Sequence, residues 1–123
     1  MGSALEGPSE AHWKMKQFDI MWADLPSPIG RRPVLLLTRS AAYAYLNKVL
    51  IAEITSTIRN IPQEIHLGQS EGLPGASAAN LDNIHVIPKS LLGGKIGALT
   101  SNRQREIKRA LGYALDWPEL KVL

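Results

Sequence analysis

The 123-residue chain contains no cysteine. Disulfide frameworks, cysteine-ligated zinc, iron–sulfur clusters and thiol nucleophiles are therefore excluded together. Histidine is scarce as well, and an all-histidine metal site would need all three in the chain. Apolar runs are short: those at residues 34–37 and 49–52 fall far below the roughly 20 residues that span a bilayer. No membrane partner is expected, and the expected compartment is the cytoplasm. Internal repeats, low-complexity tracts, a calcium-loop spacing, a glycine-rich phosphate loop and a nucleophile elbow are all missing. No cofactor is expected.

Apolar residues make up 45% of the chain and charged residues 20%, which describes a globular domain. Fourteen basic residues against eleven acidic ones leave a net charge of +3, a mild tilt toward polyanionic partners. The distribution says more. Arg31, Arg32, Arg39 and Arg59 fall in a stretch whose single acid is Glu53. A second basic group, Lys95, Arg103, Arg105, Lys108 and Arg109, reads as one exposed helix face.

Residues 1–15 show no sustained period and read as a flexible extension or a remnant of cloning, leaving 16–123 as one domain. Residues 18–25 predict a strand, stopped by the two prolines and glycine of PSPIG at 26–30. Further strands are expected at 33–38, 48–56, 63–67, 76–81, 83–87 and 95–99, with a helical turn at 88–92 halted by Gly93-Gly94. Ser101 with Gln104 forms a capping box, and Ile107, Ala110, Leu111, Ala114 and Leu115 follow at helical spacing until Pro118. Short punctuated strands with one terminal helix indicate a mainly β, small barrel-like domain.

Two spots stand out chemically. Gly30-Arg31-Arg32-Pro33 sets two guanidiniums immediately before a buried strand. Always-charged, five-donor groups pinned at the mouth of a sheet suit phosphate recognition, although strand-end arginines are also commonly just solvated. Thr55, Ser56, Thr57 and Arg59 close an apolar strand with three hydroxyls and a cation, which a capped turn would equally explain. His66 and His85 sit in predicted strands with no spacing that pairs them, and read as satisfied or solvated strand histidines.

In succession, FDIMWADL (18–25), GRRPVLLLTR (30–39), AEITSTIRNIPQEIHL (52–67) and LPGASAANLDNIHVIPKSLL (73–92) resemble the MazF/PemK family of toxin endoribonucleases. The resemblance runs in order from about Lys16 to Leu115. It implies an SH3-like barrel with a C-terminal helix, a homodimer, and metal-independent cleavage of single-stranded RNA at short sequences, leaving a cyclic phosphate and a 5′-hydroxyl. It further implies a co-expressed acidic antitoxin as partner. Arg32, directly before the strand-opening proline, matches the family's key catalytic arginine, and Thr55 matches its phosphate-contacting threonine. Asp82 takes the place of an aspartate given base or positioning work, with Asn80 beside it. Gly30, Arg31, Ser56, Thr57, Arg59 and Asn80 are the accompanying candidates for RNA contact. The first loop carries no acid, where many relatives have a longer insertion containing one. General acid and base are therefore left to Asp82, Glu53 or substrate alignment. The same barrel also serves non-catalytic binding modules and gyrase-poisoning toxins, so fold alone does not decide between cutting and binding.

Overall fold

Apolar residues in the first three strands occur in runs rather than in alternation, and a strand of that kind needs cover on both faces. A computed structural model, which describes residues 14–123, provides it. Six strands, β1 (Asp19–Leu25), β2 (Gly30–Leu36), β3 (Lys48–Thr55), β4 (Glu64–Leu67), β5 (Ser77–Pro88) and β6 (Leu92–Ala98), form one antiparallel sheet in the order β4-β5-β3-β2-β1-β6. Two helices follow, α1 (Gln104–Leu115) and α2 (Pro118–Lys121). One face of the sheet buries Ile20, Leu35, Ala52, Ile54 and Leu81 against Ile107 and Ala110 of α1. Their chain neighbours Met21, Val34, Leu36 and Ile51 point the other way, into a second core completed by Tyr43 and Met15. Met15, expected in the N-terminal extension, is thus part of the packed domain. The rest of that expected extension, residues 1–13, lies outside the described residues. Among the described residues no helix is long and apolar enough to cross a membrane.

The sheet curls into an open half-barrel, mainly β with a C-terminal helix, as expected. Its two edges meet where β6 crosses the single turn Gln69–Glu71 that follows β4. Two glycines make that seam possible. A Cβ on Gly72, which has φ +90°, would lie 2.4 Å from the carbonyl oxygen of Ile96. One on Gly97 would lie 2.0 Å from that of Glu71. Arg103 locks the same corner to α1. Its guanidinium donates to Glu71 Oε2 at 3.0 Å and to the His66 carbonyl at 2.7 Å. It also grips both carboxylate oxygens of Glu106, at 2.8 and 2.9 Å.

Several elements differ from expectation. The strands expected at 76–81 and 83–87 are one strand, because the polar Asn80-Leu81-Asp82-Asn83 stretch forms a bulge instead of a break. Gly93-Gly94 does not stop the chain: β6 runs through both, and a Cβ on Gly93 would rest 3.6 Å from that of Trp22. The capping box does not form. Ser101–Arg103 makes a single 3-10 turn, and no side chain caps α1. Helix α1 ends at Asp116, in the left-handed region at φ +52°, while Pro118 opens α2 rather than closing α1. Nor is the second basic group one helix face, since Lys95 on β6 pairs with Asp19 and Arg103 is consumed by the corner.

Replacing Gly97 by alanine would drive a methyl group into backbone with no flexible neighbour to yield, and should lower the unfolding free energy by about 2 kcal/mol or more, read from denaturant midpoints. The hydrogen bonds from Arg103 hold the Glu106 carboxyl below its ordinary value of 4.5. A carboxylate depressed in the folded state stabilises the fold above its ordinary value and loses that contribution as pH falls through the depressed one. Glu106→Gln should therefore lower the melting temperature at neutral pH, and the gap to the parent should close as the solution is acidified below 4.5.

Candidate functional site

The hairpin joining β1 to β2 delivers Arg31 and Arg32 to the start of β2. It turns at Gly30, whose φ of +72° lies in the region open to glycine; a Cβ there would meet nothing within 4 Å, so conformation rather than space selects the residue. In the next ladder Val34 lies opposite Glu53. Continuing that antiparallel register two residues further sets Arg32 level with Thr55, and all four side chains share one face. The spacing of residues along two adjacent strands thus brings the two motifs together.

Glu53 interrupts an apolar strand and is 5% exposed. A buried carboxylate is costly unless it is paired and hydrogen-bonded. Both oxygens have partners. Oε1 accepts from Arg32 Nη1 at 3.2 Å, and Oε2 lies 2.8 Å from His85 Nε2. Arg32, Glu53 and Thr55 line a cleft of about 230 Å³, with Thr57, Arg59, Asn80 and Asn83 around it. Thr55 Oγ1 accepts the Thr57 backbone N–H at 3.1 Å, which leaves its own hydroxyl proton to donate. Arg59 is held by the segment that carries it: the Glu64 carboxylate accepts the backbone N–H of Arg59 at 3.0 Å and of Asn60 at 2.9 Å.

A second cleft, of about 280 Å³, shares Arg32 and Thr55 with the first and adds Trp22, Arg31, Ser56 and Pro74. Here the Arg31 guanidinium sits 4.8 Å from the centroid of the Trp22 ring, a cation–π stack. Arg32 and Thr55 therefore stand where two clefts join. Arg31 and Ser56 face one of them, and Thr57, Arg59 and Asn80 face the other.

Asp82 is exposed and lines neither cleft; its backbone N–H donates to Asn80 Oδ1 at 2.8 Å. The bulge explains why. From the Ala79–Ile54 pair to the Ile84–Ala52 pair, β5 advances five residues while β3 retreats two. Without the bulge, the residue opposite Ile51 would be Asp82, three on from Ala79. With it, that place belongs to His85. His85, expected as a satisfied or solvated strand histidine, is thereby brought onto Glu53 as a satisfied one. One signal was available: a lone acid inside the apolar run VLIAEIT requires partners on neighbouring strands. Among the described residues, no three acidic or imidazole side chains converge so as to hold a metal ion.

Residues 16–115 match the family described as PemK-like, MazF-like toxin of type II toxin-antitoxin system. The chain is 37% identical over 99 residues to the probable endoribonuclease MazF5 of Mycobacterium tuberculosis, covering 80% of this chain and 90% of that protein. Among solved structures, it resembles the Mycobacterium tuberculosis toxin MazF-mt6 with a TM-score of 0.75 and 35% identity, over 80% of this chain and 96% of the other. It also resembles a mycobacterial endoribonuclease solved in complex with its cognate antitoxin, with a TM-score of 0.73 and 30% identity, over 85% and 97% of the two chains.

Proposed function

The chain belongs to the PemK-like, MazF-like toxins of type II toxin–antitoxin systems, and on that premise we propose that it is an endoribonuclease that cuts single-stranded RNA without a metal ion. The observation that carries this reading is the position of Arg32 and Thr55 at the junction of two clefts. A strand of RNA crossing that junction places one phosphate against both side chains and a nucleotide in each cleft.

Cleavage proceeds by in-line attack of the ribose 2′-hydroxyl on phosphorus, which confines the reaction to RNA and leaves a cyclic phosphate and a 5′-hydroxyl. Charge builds on the phosphoryl oxygens as the new bond forms. Arg32 donates hydrogen bonds that strengthen with that charge, and so favours the transition state over the bound substrate. The Thr55 hydroxyl donates to the same phosphate. Arg59 and Arg31 attract the flanking phosphates, one in each cleft, while Ser56, Thr57 and Asn80 supply neutral contacts that select short sequences. The Trp22–Arg31 stack offers an aromatic and a guanidinium plane, the kind of surface on which unpaired bases rest. Asp82, outside both clefts, touches no reacting atom in this reading.

The acidic antitoxin docks on the same cationic rim of Arg31, Arg32 and Arg59, so that neutralisation and substrate exclusion are one event. The functional unit is a homodimer acting in the cytoplasm, where its RNA lies.

A long single-stranded RNA incubated with the protein in EDTA should give discrete cuts, and a DNA of the same sequence should stay intact. Arg32→Ala should lower the rate by about a hundredfold or more; intact RNA from folded wild-type protein would refute the reading. In light scattering the purified chain should show twice its sequence mass, and a monomer at micromolar concentration would remove the homodimer.

A further inference from the structure

Resting on the ribonuclease reading, we infer that Glu53 is the general base that takes the proton from the attacking 2′-hydroxyl, and that His85 is the positioning residue that aims it. Four observations carry this. First, among the described residues Glu53 is the one carboxylate lining either of the clefts that Arg32 and Thr55 share. Second, it touches Arg32 directly, at 3.2 Å, so a phosphate bound by that guanidinium lies alongside the carboxylate. A general base must stand within hydrogen-bond reach of its proton, and the adjacent ribose of that phosphate is the nearest source of one. Third, each carboxylate oxygen can accept two hydrogen bonds, and each has one protein partner. Each oxygen therefore keeps an accepting position without a protein partner, on a side chain that lines the cleft yet is largely shielded from bulk water. Fourth, among the described residues the cationic side chains lining the clefts are arginines, which donate only and cannot take a proton.

The step balances as follows. Glu53 accepts the 2′-hydroxyl proton as the 2′-oxygen forms its bond to phosphorus. The bond from phosphorus to the 5′-oxygen breaks with its electron pair on that oxygen, which takes a proton from solvent water. After the products leave, Glu53 returns its proton to the hydroxide so formed, and no net proton is consumed. His85 takes no proton in this cycle. It holds Oε2 at 2.8 Å, which together with the Arg32 bond fixes the carboxylate plane against rotation.

Glu53→Gln keeps shape and burial but cannot accept a proton. It should cut RNA about 100-fold to 1,000-fold more slowly, yet bind a non-cleavable RNA carrying 2′-deoxyribose at the scissile position at least as tightly as the parent, because a negative charge has left the cleft. Glu53→Ala should be equally slow and should regain activity in added formate, which enters the vacated space as a replacement base. His85→Leu should lower kcat by about tenfold with KM unchanged, and His85→Gln, whose amide nitrogen can occupy the place of Nε2, should recover most of that loss. Wild-type cleavage with Glu53→Gln at the parental rate would overturn the role of Glu53 while leaving the ribonuclease reading intact. So would a folded Glu53→Ala that stays slow in formate, or a Glu53→Gln that has lost RNA binding in proportion to its activity, since either reduces Glu53 to a support for Arg32. RNA left uncut by the wild-type protein would remove both readings.

Discussion

A carboxylate buried in the middle of a β-sheet must be met by donors from the strands beside it, and Glu53 imposes that demand on β2 and β5 at once. Arg32 answers from one side and His85 from the other. Neither is free to be a generic surface charge. The guanidinium is tied to the buried carboxylate through Nη1 and stays partly exposed, so its remaining donors are available in the cleft it lines. The desolvation cost of one acid thus becomes the orientation of one base-side cation, and the rest of the site is arranged around that pair.

The curl of the sheet determines what lies beyond it. Because β6 presses against the turn after β4 with backbone close to backbone, the two edges of the sheet meet there, while Thr55 at the end of β3 keeps its pairing to β5 but not to β2. The two clefts open where the β2–β3 ladder stops pairing at Val34–Glu53. Unpaired strand ends expose backbone polar groups as well as side chains, a suitable surface for a ligand that is itself a chain of polar groups. The Arg103 corner, though distant, belongs to the same logic, since it fixes the turn on which the seam closes.

Much of this was legible before any coordinates. The apolar run of β2 announces a buried strand, and Arg32 and Thr55 stand out by residue type and by resemblance to the family; that they lie level follows from the β2–β3 register, which no local pattern specifies. What could not be counted was the bulge in β5. It inserts an odd number of residues, so it reverses which side chains face which core, and it exchanges Asp82 for His85 beside Ile51. Asn80, Asp82 and Asn83 read equally well as a break between two strands, and nothing local distinguishes the two. Gly93-Gly94 is a similar case: glycine punctuates free chain, but here both residues lie within β6, which pairs along β1. The expected capping box is missing because Ser101–Arg103 makes a 3-10 turn, which puts Arg103 rather than Ser101 at the position before the helix.

Chain neighbours in β1, β2 and β3 serve opposite cores, Ile20 and Met21, Val34 and Leu35, Ile51 and Ala52 among them. A single inserted or deleted residue inside any of these strands would exchange the contents of both interiors and turn Arg32 or Glu53 to the wrong side. A change of length is tolerated only in the connections, and the one at 56–63 supplies Ser56, Thr57 and Arg59 to the walls of the clefts. The strands that carry Arg32 and Glu53 are thus intolerant of any slip, whereas a cleft wall built from a connection can change shape without disturbing them.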